Sequence, residues 1–188
     1  AWARKGLVTY QFTLSVVLIA SVIVDYEQIA YTQTKNLGYS NENVLILSVE
    51  GALSDSTRFH TFLSELSAKS YVKSAAGSNH NMTGHNGGTY GVNWPGKDPN
   101  DRTEFENMQI TPNFIKTMDI ELKEGRAFNP NSQAENDKII FNEAAIAFMG
   151  LENPVGKTVE LWGDEVEIVG VVKDFHFVAL LLRVTTII

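Results

Sequence analysis

The chain of 188 residues is 44% apolar and 20% charged, which is the composition of an ordinary globular protein. Its formal net charge is −7, and all 22 acidic residues follow residue 24. The part of the chain after residue 24 is therefore acidic and offers no basic surface for nucleic acid or anionic lipid. Because there is no cysteine, the chain can form neither a disulfide framework nor a thiolate zinc site.

The first predicted element is a membrane-spanning helix that begins at Leu7 and ends at Val24. These eighteen residues carry no charge, and as a helix they would be about 27 Å long, close to the hydrocarbon thickness of a bilayer. Arg4 and Lys5 precede the run and the first acidic residues follow it, so the positive-inside bias puts the N-terminal end in the cytoplasm. We therefore expect the residues after about 25 to lie on the outer side.

Two other kinds of segment have a similar composition. A secretory signal has a shorter apolar core and small residues at its cleavage site, whereas the candidate site Leu18-Ile19-Ala20 has a bulky leucine. A buried core helix of a soluble protein would tolerate the polar residues of the run. In a membrane the same residues should face other helices of a bundle. They are Thr9, Gln11, Thr13, Ser15 and Ser21.

The helix is expected to continue beyond the membrane as a stalk, because no helix breaker occurs before residues 36–38. A strand is predicted at residues 43–49, where the sequence is apolar and β-branched. A helix capped by Ser54 or Asp55 follows, and "YVKSAAGS" at residues 71–78 predicts a second strand. This order is typical of a βαβ-like unit.

A glycine- and asparagine-rich loop at residues 79–88 separates this unit from the rest. It is a candidate contact loop, because loops on rigid scaffolds often carry binding residues. A metal site is not predicted, since zinc needs three or four ligands and only two histidines are near in sequence. The loop residues concerned are His80, Asn81, His85 and Asn86.

The next predicted elements are strands at 89–94 and 103–110, a short helix "PNFIKTM" and a strand "KIIF". A helix at "NEAAIAFM", capped by Asn142, and strands "KTVEL" and "EVEIVGVV" complete the chain.

The stretch "GLENPVGKTVEL" looks like a phosphate-binding loop but fails on spacing and setting. Five residues separate Gly150 from Gly156-Lys157-Thr158, where a P-loop has four. The predicted order is also helix–loop–strand, the reverse of the order that places a phosphate at a helix N-terminus.

Asp174 and His176 in "KDFHF" could approach each other on one face of a strand. A carboxylate–histidine couple without a nucleophile or metal is not a catalytic site, so hydrogen bonding at the end of the last strand is the favoured interpretation.

Several stretches, in this order, resemble the MacB-like and FtsX-like permease subunits of ABC transporters, of the Bacteroidetes type. They are "RKGLVTYQFTLSVVLI", "NLGYSNENVLIL", "GRAF", "NEAAIAFMG", "NPVGKTVEL" and "EIVGVVKDFHF". The resemblance is to the second periplasmic half of the large members and extends to about Phe177. The motif residues concerned are Gly125, Arg126, Phe128, Gly156, Lys157, Gly170 and Asp174.

The resemblance implies an α+β fold, with a MacB-like periplasmic core domain at residues 39–188 on a transmembrane and stalk helix at residues 1–38. The core domain would consist of a βαβ-type subdomain and a smaller inserted α/β subdomain at roughly 111–162. The protein would lie in the bacterial inner membrane, with the residues after about 25 in the periplasm. Because the chain begins with Ala1, we also expect it to be a fragment of a longer protein.

The resemblance further implies that the domain has no catalytic residue, cofactor or metal, because a separate cytoplasmic ABC ATPase subunit would hydrolyse ATP. Two permease copies would form a dimer. Motion would pass along the stalk, at Tyr26, Gln28 and Tyr31, to export or to mechanical work on a periplasmic adaptor or substrate protein. This mode of action is mechanotransmission.

One stretch departs from the family pattern. After "DFHF" the family continues with a polar segment, whereas this chain has the apolar "VALLLRVTTII".

Two other functions are weighed beside the permease. A single-helix-anchored extracytoplasmic sensor or ligand-binding module predicts a small-molecule pocket in the outer part. An exported hydrolase would depend on Asp174 or His176.

Overall fold

A computed structural model of the protein describes residues 2–34, 37–40, 42–81, 87–130, 132 and 135–175, without the side chains of residues 3 and 32–34. The chain divides into two compact units, Ala1–Asn36 and Leu37–Ile188. The first unit is a single helix, and the second is a mixed helix-and-sheet domain.

The first unit consists of helix α1, Trp2–Thr34. Its stretch Arg4–Tyr31 is long and apolar enough to cross a membrane, and none of the most apolar window is buried. A core helix of a soluble protein would instead be mostly buried. The predicted span from Leu7 to Val24 is therefore part of an exposed apolar helix, which continues without a break through Thr34.

The hydroxyl groups within this span already have hydrogen-bond acceptors inside the helix. Thr9, Thr13, Ser15 and Ser21 each donate to the carbonyl oxygen four residues earlier, at 2.9–3.0 Å. Because these bonds satisfy the hydroxyl groups locally, the side chains do not require a neighbouring helix in order to lie in lipid.

The second unit begins with a short 3₁₀ helix, Gly51–Ser54, and helix α2, Ser56–Ser67. Asp55 caps α2 as predicted, since its Oδ1 accepts a hydrogen bond from the Arg58 backbone N–H at 3.0 Å. The sequence predicted a strand on each side of α2, and both predictions are wrong. Residues 44–49 form no strand, and the stretch 71–78 contributes only an isolated bridge between Ser78 and Ile110. A strand requires a hydrogen-bonding partner, and the described residues place none beside 44–49.

The strands of the described residues form a two-stranded ribbon and a five-stranded sheet. In the sheet, β7 is central: it pairs antiparallel with β6 and β4 and parallel with β5, while β2 pairs with β6. The strands are β1 Gly88–Thr89, β2 Val92–Asn93, β3 Phe105–Glu106, β4 Leu122–Gly125, β5 Lys138–Asn142, β6 Thr158–Leu161 and β7 Asp164–Val172, of which β1 and β3 form the ribbon.

Two helices belong to the cores on this sheet: α3, Phe114–Thr117, and α4, Glu143–Met149. Ile140 of β5 packs in one core cluster with the apolar residues of α3, and its neighbour Phe141 packs in the other with those of α4. This alternation follows from the two-residue period of a strand. Burying each such side chain contributes about 1.5–3 kcal/mol.

Candidate functional site

The family-motif residues predicted from the sequence meet around the central strand β7. Gly125 of β4 lies directly opposite Gly170 of β7. A Cβ atom on Gly125 would overlap the carbonyl oxygen of Val169, and one on Gly170 would overlap the carbonyl oxygen of Arg126. The two strands therefore approach each other at a distance that only glycine permits. We call this contact the glycine crossing.

Arg126 and Phe128 extend the glycine crossing to its surroundings. The Arg126 backbone N–H donates to the carbonyl oxygen of Val169 at 2.9 Å, which continues the β4–β7 pairing by one residue. The Arg126 guanidinium donates to Glu135 Oε2 at 3.1 Å. Phe128 packs against the core cluster that contains α3. These contacts tie the loop after β4 to the domain.

Gly156 and Lys157 form the turn that leads into β6. The Lys157 backbone N–H donates to the Pro154 carbonyl at 3.0 Å, and the Gly156 N–H donates to the Ile168 carbonyl at 2.8 Å. Gly156 has a φ of +84°, which favours glycine at this turn position. The Lys157 ammonium donates to the Glu152 carbonyl oxygen. The predicted helix–loop–strand order is thus confirmed, and the lysine is bound within its own turn.

Asp174 lies at the start of helix α4, far from it in sequence. Its Oδ1 accepts hydrogen bonds from Asn142 Nδ2 and from the Ala144 backbone N–H, both at 2.9 Å. Asn142, which is fully buried, caps the same helix by accepting from the Ala145 N–H at 3.0 Å. Two side chains therefore accept hydrogen bonds from two of the free N–H groups of the first helical turn, those of Ala144 and Ala145. We call this arrangement the double cap.

A surface ion pair completes the start of α4. Lys123 of β4 donates to Glu143, the first residue of the helix. This hydrogen bond holds the pKa of the Glu143 carboxyl below its ordinary value and the pKa of the Lys123 ammonium above its own. A carboxylate in the first turn also interacts favourably with the helix dipole.

The described contacts of Asp174 are hydrogen bonds to the start of α4. Its contacts agree with the structural interpretation made from the sequence, while His176 lies outside the described residues. In the candidate contact loop, the backbone N–H of His80 donates to Ser78 Oγ at 3.1 Å, and Asn81 is exposed. His85 and Asn86 lie outside the described residues. Within the described ranges, no three histidine, aspartate or glutamate side chains are grouped to hold a metal ion.

The glycine crossing and the double cap are structural contacts between parts of the chain that are distant in sequence. Comparison with known families shows to which family such a domain belongs. The family model of the MacB-like periplasmic core domain matches residues 13–184. The chain belongs to this family. The resemblance drawn from the sequence is thereby confirmed, as is the mixed helix-and-sheet class of this MacB-like chain.

Two solved structures are similar to this MacB-like chain. One is the periplasmic region of MacB from Actinobacillus actinomycetemcomitans, with 22% identity and a TM-score of 0.46 over 63% of this chain and 52% of that one. The other is a domain of a proposed permease protein from Porphyromonas gingivalis, with 19% identity and a TM-score of 0.37 over 53% and 46% of the two chains. The chain thus spans about half the length of the structures it matches. A search of curated proteins gives no match.

With an N-terminal apolar helix of membrane-spanning length, the MacB-like chain is a membrane-anchored periplasmic domain. The residue at which the membrane ends stays a prediction, as do the inserted subdomain at 111–162 and the roles of the motif residues. Local sequence signals identified Asn142 as a cap. They did not show that Asp174 joins it, because that contact spans 32 residues.

Proposed function

We propose that this chain is the non-catalytic extracytoplasmic part of an ABC transporter permease subunit. It couples motion of the membrane helices, driven by ATP in a separate cytoplasmic subunit, to export or mechanical work on a periplasmic substrate or partner. Family membership supports the permease assignment. The coupling itself is our inference from helix α1 and from the domain that follows it.

The observation that carries the coupling is the continuity of α1. The helix runs unbroken from Trp2 to Thr34, so it would be about 50 Å long, which exceeds a hydrocarbon core of about 30 Å. Tyr26, Gln28 and Tyr31 lie in the part beyond the predicted span and are exposed. A continuous helix has no loop at which an axial displacement would be lost, which supports a stalk in this role.

The domain after residue 36 has the features of a body that moves as a unit. The glycine crossing joins β4 to β7, and the double cap joins the end of β7 to helix α4. Parallel pairing of β5 with β7 adds a further connection between distant parts of the chain. A packed domain transmits displacement because its interior is dense and has low compressibility.

The partners of this subunit are a cytoplasmic ABC ATPase, a second permease copy and a periplasmic adaptor or substrate protein. We test the assignment by purifying the full-length permease from its native host in detergent. Recovery of an ATPase subunit as a separate polypeptide is expected. Recovery of a kinase or receiver domain on the same polypeptide would instead establish the sensor alternative, which the open cavity of about 1150 Å³ in the outer domain would then serve.

The orientation is tested with single cysteines, since the chain has none of its own. A membrane-impermeant maleimide added to intact spheroplasts should label a Glu65→Cys variant on the exposed surface of α2. It should label a Lys5→Cys variant only after the membrane is permeabilised. Labelling of both positions from outside would contradict a membrane-crossing α1.

A further inference from the structure

The three residues after strand β7, residues 173–175, each contact a different part of the domain. The Lys173 backbone N–H donates to the carbonyl oxygen of Glu121, directly before β4, at 2.9 Å, and the two side chains form an ion pair at 2.6 Å. Asp174 contributes to the double cap on α4. Phe175 is only 4% exposed and lies in the core cluster that contains α3. We call residues 173–175 the junction segment.

The first residues of the domain pack on the junction segment and on its surroundings. The ring of Tyr39 lies edge-on to that of Phe175, with centroids 6.3 Å apart. The Ser40 backbone N–H donates to the carbonyl oxygen of Met118, directly after α3, at 2.8 Å. Phe175 and Met118 belong to the same core cluster, and Tyr39 packs against it. Residues 39 and 40 are therefore fixed to one region of the core.

Gly38 approaches the backbone of the junction segment. It has a φ of +81° and lies four positions after Thr34, the last residue of α1. A Cβ atom on Gly38 would lie 2.7 Å from the Phe175 Cβ, 2.8 Å from the Phe175 Cα and 2.9 Å from the Asp174 carbonyl oxygen. Such an atom would overlap all three, so only glycine permits this approach.

We propose that the junction segment passes a displacement of residue 38 to α4 and to β4 together. A contact at backbone distance leaves no free space that could absorb a displacement, because packed interiors have low compressibility. Two contacts connect Gly38 to α4: its approach to the junction segment, and the hydrogen bond from the Ala144 N–H to the Asp174 carboxylate. The source of the displacement, motion of α1, rests on the proposed function, whereas this path rests on packing within the domain.

Amide hydrogen exchange tests this path in the full chain in detergent micelles. Gly38→Ala should displace the junction segment and weaken the double cap, so the N–H groups of Ala144 and Ala145 should exchange about tenfold faster than in the wild type. Gly51→Ala is the matched control and should leave both rates unchanged. Gly51 also has a positive φ, +61°, but a Cβ atom on it would meet open space. The Trp162 N–H, which donates to the Gly91 carbonyl oxygen at 3.0 Å, is the reference amide.

A milder variant decides the question where Gly38→Ala does not fold. Tyr39→Leu removes the edge-on ring contact with Phe175 and keeps an apolar side chain. It should raise the exchange rate of the Ala144 N–H about threefold, as expected for the loss of one aromatic pair. In an Asp174→Ala background it should have no further effect on this rate, because the contact that carries the effect is already absent. Such non-additivity is the evidence that a coupling path requires.

Three results would overturn the proposal. One is an unchanged exchange rate at Ala144 and Ala145 in a folded Gly38→Ala variant. Another is an equal rise at the Trp162 reference amide in Tyr39→Leu, which would show a general loss of stability. The third is an equal effect of Tyr39→Leu with and without Asp174. Since none of these measurements involves an ATPase, a permease that lacked an ATPase partner would contradict the proposed function and leave this path standing.

Discussion

Gly125 shows how one missing Cβ atom determines the packing of two strands. Gly125 and Gly156 both have a positive φ, +72° and +84°. A Cβ atom on Gly125 would overlap the carbonyl oxygen of Val169, whereas a Cβ atom on Gly156 would meet open space. Gly125→Ala should therefore destabilise the domain more than Gly156→Ala, and the difference should be about 1–3 kcal/mol, as for overpacking. Urea unfolding followed by the fluorescence of the buried Trp94 measures both variants. Equal losses would show that backbone strain alone matters and that the glycine crossing does not.

Asp174 offers a test that separates capping from catalysis. Asp174→Ala removes the acceptor for Asn142 and for the Ala144 N–H, and loss of a helix cap costs about 0.5–2 kcal/mol. Asp174→Asn keeps an oxygen that can accept both bonds, so it should recover most of that stability. Urea midpoints of the two variants decide this. If Asp174→Asn kept the stability but abolished a hydrolytic activity of the protein, the structural role would be incomplete.

The Lys123–Glu143 pair predicts a pH dependence at the start of α4. Since the folded-state pKa of Glu143 is lowered by the hydrogen bond from Lys123, its stabilising contribution is present above the ordinary value of 4.5 and is lost as the pH falls through the lower, folded value. Glu143→Gln should therefore lower the urea midpoint at pH 7 and approach the wild type at the acid end.

The exposed Glu65→Gln on α2 is the matched control for this measurement, with urea midpoints recorded from neutral to acid pH. Because both partners of the pair are largely in contact with water, the effect is expected to be small. A difference between Glu143→Gln and wild type that grows as the pH falls would contradict the sign.

At the scale of elements, local signals predicted α4 almost completely. Asn142 begins the helix and Gly150, with a φ of +65°, ends it, as their residue types indicate. The same reasoning failed for residues 44–49, where composition favoured a strand. A helix satisfies its own backbone hydrogen bonds, whereas a strand depends on a partner whose position the local sequence does not contain.

The site was only partly visible in the sequence for the same reason. The motif residues Gly125 and Gly170 could be named from the resemblance, but their pairing across 45 residues follows from the sheet register. Likewise, the Asn142 cap is local, whereas Asp174 reaches it only because β7 runs parallel to β5. Contacts that depend on topology were thus the part that sequence patterns could not supply.

At the scale of the whole molecule, one continuous helix precedes one mixed helix-and-sheet domain in the chain. The proposed coupling depends on the unbroken course of α1 through the stalk residues. The family match shows that the domain is a MacB-like periplasmic core domain. A proline inside a helix removes a hydrogen bond and costs about 3 kcal/mol or more, so Gln28→Pro interrupts the stalk while the sequences of the domain and of the ATPase stay unchanged. Gln28→Ala is the matched control, because alanine preserves the helix.

The most direct measurement is the distance between spin labels on two permease copies, placed through Glu65→Cys and recorded with and without ATP in the assembled transporter. We predict that ATP changes this distance in the wild type and in Gln28→Ala. In Gln28→Pro the change should vanish, although the ATPase subunit still binds ATP. An equal ATP-dependent change in Gln28→Pro would contradict transmission through the helix.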